Sequence, residues 1–185
     1  MDTYIDQAYE LYENKQWELA QQTITKEQCY NTNPIALNLI GSIHWKLGDF
    51  KEAKKYYLLA AKCQSDFWPA YLNLGNLFYE NNEFNKAIKY YVGALSHKGE
   101  HFMIYYNLGT CYLKMKKTAK AIHYLIKALE LKPTHLQSNI NLAKAYYNSK
   151  NYKKSFIYFN TALALDVDNN TATIGYQNCW EKLIS

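Results

Sequence analysis

Residues 71–94, with the sequence YLNLGNLFYENNEFNKAIKYYVGA, carry two apolar patterns separated by a short polar break. The apolar positions of this stretch are Tyr71, Leu74, Phe78, Ala87, Tyr91 and Ala94. Within each half, spacings of three and four residues place these positions on one face of a helix, whereas a strand would alternate. Because the polar residues 80–83 separate the two patterns, the stretch predicts a pair of helices joined by a tight turn.

The same residue classes recur at a distance of 34 residues along the chain. One shift forward gives Tyr105, Leu108, Gly109, Tyr112, Ala121, Leu125 and Ala128. A second shift gives Asn139, Leu142, Ala143, Tyr146, Ser155, Phe159 and Ala162, and one shift back gives Leu37, Ile40, Gly41, His44, Ala53, Tyr57 and Ala60. Only Asn139 and His44 differ in residue class from the residues at the same positions of the other repeats. A repeated helix pair buries both sides of its apolar stripe only by stacking on its neighbours.

This spacing is similar to the tetratricopeptide repeat, a 34-residue antiparallel helix pair with a pattern of large, Leu, small, aromatic, Ala, aromatic and small residues. The resemblance covers essentially the whole chain. It implies an all-α fold, a right-handed superhelical solenoid of antiparallel helix pairs. We predict a single domain over residues 1–185, with repeats and a capping helix at residues 1–33, 34–67, 68–101, 102–135, 136–169 and 170–185.

The last segment predicts a helix that covers the final repeat on one side and faces water on the other. Asn169 and Asn170 are candidates for its N-cap. Its apolar residues at helical spacing are Tyr176, Cys179, Trp180 and Leu183, and its polar face holds Thr171, Asn178, Glu181 and Lys182.

Composition and charge narrow the classes of partner. The chain has 21 basic and 16 acidic residues, a net charge of +5, and every basic residue is Lys. Without Arg, bidentate guanidinium contacts to phosphate or guanine are excluded. Because Glu52, Glu80, Glu83 and Glu130 interrupt the lysine clusters and the net charge is modest, we expect no nucleic acid partner. No apolar run approaches the roughly 18 residues that span a bilayer. Residues 1–6 lack the features of a signal peptide, so we expect a cytoplasmic protein without a transmembrane segment.

Motifs for catalysis and cofactor binding are missing from the sequence. It contains no GxGxxG or GxxxxGKS loop, and Cys29, Cys63, Cys111 and Cys179 form no CxxC pair. Cys111 and Cys179 fall on the same repeat position, two periods apart, which predicts that both are buried. We therefore expect a protein that is not an enzyme and binds no cofactor.

Two histidines raise the alternative of a metal site. His97 and His101 are four residues apart, a spacing that suits a metal if both lie on one helix face. Gly99 is expected to break that helix, so we interpret both as turn residues between repeats and predict no metal.

The predicted functional surface is the inner, concave wall that first helices form in such arrays. In the family, positions two, five, six, nine, twelve and thirteen of each first helix point to this wall. The peptide-binding residues predicted there are Trp45, Asn73, Asn76, Tyr79, Tyr106, Asn107, Thr110, Asn141, Lys144 and Tyr147. An asparagine amide both donates and accepts hydrogen bonds, so a row of them can pair with the backbone of an extended peptide. Neighbouring aromatic rings can hold its apolar side chains.

Asn73, Asn107 and Asn141 resemble the asparagine ladder in the repeat domain of O-linked N-acetylglucosamine transferases. Asparagine is also common at this position of the repeat consensus as a solvated surface residue, and both interpretations stay open. The basic clamp that chaperone cofactors use for a terminal carboxylate is not reproduced, because its positions hold Ile35, Asn38, Pro69, Leu72, Met103 and Tyr106. Lys46, Lys114 and Lys144 still favour an acidic stretch in the ligand.

The sequence therefore predicts a non-enzymatic adaptor that binds a peptide or helical segment of another protein in the concave groove. The alternative is a scaffold that self-associates, or sits on a membrane or a larger complex, through its edges or a lysine-rich convex face. The lysines of that face are Lys51, Lys54, Lys55, Lys114, Lys116, Lys117, Lys120, Lys150, Lys153 and Lys154. A homo-oligomer is compatible with either hypothesis.

Overall fold

The computed structural model describes residues 3–28 and 30–185, and every regular element in these residues is helical. The α-helices are α1 (Tyr4–Glu13), α2 (Trp17–Ile24), α3 (Pro34–Lys46), α4 (Phe50–Cys63), α5 (Trp68–Glu80), α6 (Phe84–Lys98), α7 (Phe102–Lys114), α8 (Thr118–Leu131), α9 (Leu136–Asn148), α10 (Tyr152–Leu165) and α11 (Asn170–Ile184). A 3-10 helix (Tyr30–Thr32) precedes α3. The all-α fold of helix pairs is confirmed.

The chain divides into two compact units, Met1–Gly99 and Glu100–Ser185. In the first unit, α1 pairs with α2, α3 with α4 and α5 with α6, and the first helices α3 and α5 also contact each other. In the second unit, α7 pairs with α8 and α9 with α10, α7 contacts α9, and α11 packs on both α9 and α10. First helices therefore lie side by side within each unit.

Side-chain caps start several of these helices. The Asn33 side chain accepts hydrogen bonds from the backbone of Ile35 and Ala36, and Asn169 caps α11 by accepting from Ala172 N at 3.2 Å. Each such cap satisfies backbone donors that the first turn of a helix leaves without partners.

The turns within the helix pairs place one residue in the left-handed region. These residues are Lys15, Gly48, Asn82, Lys116 and Lys150. Asn82 suits this position because asparagine tolerates the left-handed conformation better than most residues with a side chain. In the turn 148–151, Lys150 at φ 60° takes this conformation, while Asn151 caps α10 by accepting from Lys154 N at 3.2 Å.

Small residues on the first helices admit large side chains from the second helices. A Cβ atom at Gly41 would lie 2.7 Å from Tyr57 Cδ1, and one at Gly109 would lie 2.6 Å from Leu125 Cγ. Since real Cβ contacts do not reach these distances, the close approach of each pair requires glycine.

A stacked ring pair joins the first and second helix in four repeats. The pairs are His44–Tyr56, Phe78–Tyr90, Tyr112–Tyr124 and Tyr146–Tyr158, with centroids 5.2 to 5.7 Å apart. Offset stacking of this kind contributes beyond simple burial. It explains why His44 fits an aromatic position of the repeat.

The buried face of α11 is narrower than its apolar pattern indicates. Ala172 and Cys179 are fully buried, but Trp180 and Leu183 are 52% and 37% exposed. Trp180 only borders the Phe156 ring, at 6.0 Å between centroids. Trp180 and Leu183 therefore cover less of the last repeat than the apolar pattern predicts, whereas Tyr176 packs on the Phe156 ring with 4.3 Å between centroids.

Candidate functional site

The residues predicted to bind a peptide lie on first helices in both units. In the first unit α3 carries Trp45 and α5 carries Asn73, Asn76 and Tyr79; in the second, α7 carries Tyr106, Asn107 and Thr110, and α9 carries Asn141, Lys144 and Tyr147. Lys144 is exposed and the other nine are partly buried. We call these two sets, with the helices that bear them, the first-helix walls.

In the first unit, two hydrogen bonds join the walls of α3 and α5. Asn73 Nδ2 donates to Asn38 Oδ1 at 2.9 Å, and Trp45 Nε1 donates to Glu80 Oε2 at 3.1 Å. Asn38 is a partner that sequence reasoning missed, although an asparagine inside the apolar helix α3, 35 residues before Asn73, was a usable signal. One amide hydrogen of Asn73 is therefore used in a hydrogen bond that joins α5 to α3.

In the first unit, tyrosines of the second helices donate hydrogen bonds to polar side chains of the first helices. Tyr91 Oη donates to Asn76 Oδ1 at 2.8 Å, and Tyr57 Oη donates to Ser42 Oγ at 3.2 Å. Burial raises the pKa of Tyr57 well above its ordinary value, so it remains a donor. The signal in the sequence is a tyrosine at one repeat position in both helix pairs.

In the second unit, Asn141 Nδ2 donates to Thr110 Oγ1 at 3.1 Å, and Thr110 Oγ1 donates to the Tyr106 carbonyl at 2.8 Å. These bonds link α9 to α7. At the repeat position of Tyr57 and Tyr91, this unit has Leu125 and Phe159, which carry no hydroxyl to hold a wall residue from behind.

A pocket of about 280 Å³ opens between α9 and α11. Its lining residues are Lys144, Tyr147 and Asn148 from α9, Phe159 from α10, and Thr171, Ile174, Gly175 and Asn178 from α11. The wall thus continues onto α11, whose polar face we expected only to meet water. The overlooked signal is the 34-residue register, which places these four α11 residues at positions two, five, six and nine.

The electrostatics of this pocket are basic. Partial desolvation lowers the pKa of Lys144, and the charge of Lys114 lowers it further. Neither α7 nor α9 contains an Asp or Glu residue to offset these two charges. An anionic ligand would favour the charged form of Lys144.

Lysines of the alternative surface, the second helices, lie over aromatic rings. The Nζ atoms of Lys54, Lys120 and Lys154 are 5.3 to 5.4 Å from the ring centroids of Phe78, Tyr112 and Tyr146. Such contacts contribute about 0.5–1 kcal/mol at exposed sites. These lysines thus have a role within the fold, independent of any external polyanion.

The two histidines considered as metal ligands lie on either side of a helix end. Helix α6 ends at Lys98, and Gly99 follows at φ 76°. His97 packs on Tyr71 at 4.9 Å, and His101 stacks on Phe102 at 5.4 Å. Over residues 3–28 and 30–185, no group of three His, Cys, Asp or Glu side chains is arranged to hold a metal ion.

In the same residues, no helix has both the length and the apolar character needed to cross a membrane.

The buried thiols should be protected from alkylation at pH 8. Burial raises the pKa of Cys111 to about 12 and also raises the pKa of Cys179, so both remain protonated. Cys63 is exposed, whereas Cys29 lies outside the described residues. Peptide mass mapping after iodoacetamide treatment should show Cys63 modified in the native protein and the two buried cysteines only after denaturation. Equal labelling rates would contradict their burial.

Family models of the tetratricopeptide repeat match residues 35–66, 69–98, 103–135 and 136–169, which together are most of the chain. The protein belongs to the tetratricopeptide repeat (TPR) family. Repeats of this family are generally non-enzymatic modules for protein interaction. No curated protein shows significant sequence similarity to this TPR chain.

Solved TPR structures are similar in fold. PilF of Pseudomonas aeruginosa is 20% identical with a TM-score of 0.90, over 98% of this chain and 83% of PilF. YrrB, described as a TPR protein with an unusual peptide-binding site, is 18% identical with a TM-score of 0.73, over 83% of this chain and 79% of YrrB. The TPR domain of Arabidopsis OM64 is 22% identical with a TM-score of 0.60, over 62% of this chain and 94% of that domain.

Proposed function

We propose that this TPR protein is an adaptor that binds a peptide segment of a partner protein on its first-helix walls. The observation that carries the proposal is the combination, on first helices, of partly buried amides with aromatic side chains. Amides pair with a peptide backbone regardless of its side chains, and the rings of Trp45, Tyr79 and Tyr147 offer apolar contact. The peptide-binding site of the structural neighbour YrrB supports this use of the fold.

The hydrogen bonds within the walls support a role in positioning. Asn73 and Asn141 each give one amide hydrogen to an adjacent first helix, which fixes the direction of the amide. Tyr91 does the same for Asn76. A group held in place before binding loses less side-chain entropy when a ligand arrives.

Replacing Asn73, Asn107 and Asn141 together with alanine should weaken partner binding about tenfold or more. Each hydrogen bond contributes about 0.5–1.5 kcal/mol, and 1.4 kcal/mol corresponds to a factor of ten. The measurement is affinity capture from native lysate at low and high salt, with retained proteins identified by mass spectrometry. Partners of the walls should persist at high salt with the wild-type chain and disappear with the triple variant.

The matched control is the pair Asn85→Ala and Asn160→Ala, exposed asparagines of the second helices α6 and α10. This control should retain the partners. Retention that ignores the triple variant but vanishes at high salt would contradict the proposal and favour the lysine-rich surface, because salt screens exposed charges. Melting curves of all variants separate lost binding from lost folding.

A further inference from the structure

We propose that the pocket between α9 and α11 binds an aromatic or branched aliphatic side chain of the partner, next to a carboxylate that pairs with Lys144. This inference rests on the proposed adaptor function and specifies the ligand chemistry of one site. It concerns the second unit alone, where every residue involved lies.

The shape of the pocket suits a single apolar side chain. Its volume of about 280 Å³ is just below the ~300–1,000 Å³ typical of small-molecule sites, which favours a side chain over a cofactor. The Phe159 ring contributes to its lining, and Gly175 brings no side chain of its own. A Cβ atom at Gly175 would overlap that ring, so the glycine allows the ring to remain there. Ile174 lines the pocket and is half exposed, which leaves apolar surface for a ligand to cover.

The charge at the rim selects an anion beside the apolar anchor. Lys144 lines the pocket, and Lys114 is close enough to depress the pKa of Lys144. Helix α11 contains one acidic residue, Glu181, which does not line the pocket. Lys144 takes part in none of the salt bridges among the described residues, so a ligand carboxylate would supply its acidic partner.

The contrast with the first unit explains why this lysine is available. There, Tyr57 and Tyr91 hold the position-nine residues Ser42 and Asn76 from behind. Lys144 is the position-nine residue of α9, and the corresponding second-helix residue, Phe159, has no hydroxyl. The same register therefore places hydrogen-bonded polar groups at Ser42 and Asn76, but an exposed cation at the pocket that Phe159 helps to line.

Selection from a phage-displayed random nonapeptide library by the full-length chain tests the inference. We expect enrichment of peptides in which Phe, Trp, Leu or Ile is flanked by Asp or Glu. The most enriched peptide, synthesised with a fluorescent label, should bind Lys144→Glu and Ile174→Glu at least tenfold more weakly by fluorescence anisotropy. The matched control, Lys153→Glu, makes the same charge change at an exposed site on α10 and should bind as the wild type does.

The outcomes separate this inference from the function on which it rests. Enriched peptides that lack acidic residues, or equal affinity for Lys144→Glu and the wild type, would overturn the pocket assignment. If such peptides also lose binding to the Asn107→Ala, Asn141→Ala variant, the adaptor function stands without this pocket. Failure to enrich any peptide would count against both proposals. Circular dichroism of each variant confirms that loss of binding occurs in a folded chain.

Discussion

Replacement of Gly75 with valine should lower the free energy of unfolding by about 3 kcal/mol, the upper end of the usual cost of overpacking a core. A Cβ atom at this position would overlap the Tyr91 ring. Tyr91 is only 1% exposed, and its hydroxyl donates a hydrogen bond to Asn76, so the ring has little freedom to move aside. Urea denaturation followed by circular dichroism would measure the loss.

A double-mutant cycle shows whether the ring is the obstacle. In a Tyr91→Leu background, the valine should cost clearly less, because leucine lacks both the ring and the hydroxyl that fixes Tyr91 to Asn76. Lys89→Ala, an exposed change on α6, should shift the unfolding free energy by about 0.5 kcal/mol or less. An equal cost of valine in both backgrounds would contradict this account.

The helix pairs were predictable because a single period controls them. Spacings of three and four residues mark each buried stripe, and the 34-residue register carries the pattern from pair to pair. Accordingly α3, α5, α7 and α9 begin at Pro34, Trp68, Phe102 and Leu136. Of the ten first-helix residues that the same register selected as peptide-binding, nine are partly buried and Lys144 is exposed.

The finer features of the candidate site depend on how the helices pack. The hydrogen bond between Asn73 and Asn38 depends on the distance between α3 and α5. The period of the sequence does not give that distance. The pocket depends on the position that Gly175 allows Phe159 to take. An apolar stripe likewise indicates which side of α11 packs, but not how much of it α9 and α10 cover, and Trp180 is therefore exposed.

Replacement of Leu142 with alanine should lower the free energy of unfolding by about 2–5 kcal/mol, the range measured for large-to-small changes in cores. Leu142 is fully buried and packs in a cluster that joins α9 to α8, with Ala121, Leu125, Ala145 and Tyr146. Two of these neighbours are alanines, whose side chains cannot extend into a cavity, so we expect a value in the upper half of the range. Chemical denaturation of the full chain, monitored at 222 nm, provides the measurement.

The matched control is Ile157→Ala, which removes a similar side chain from α10 at a position that is 58% exposed. Its cost should be about 0.5 kcal/mol or less, because most of that side chain already contacts water. Similar losses for the two variants would mean that α9 does not bury Leu142 against α8.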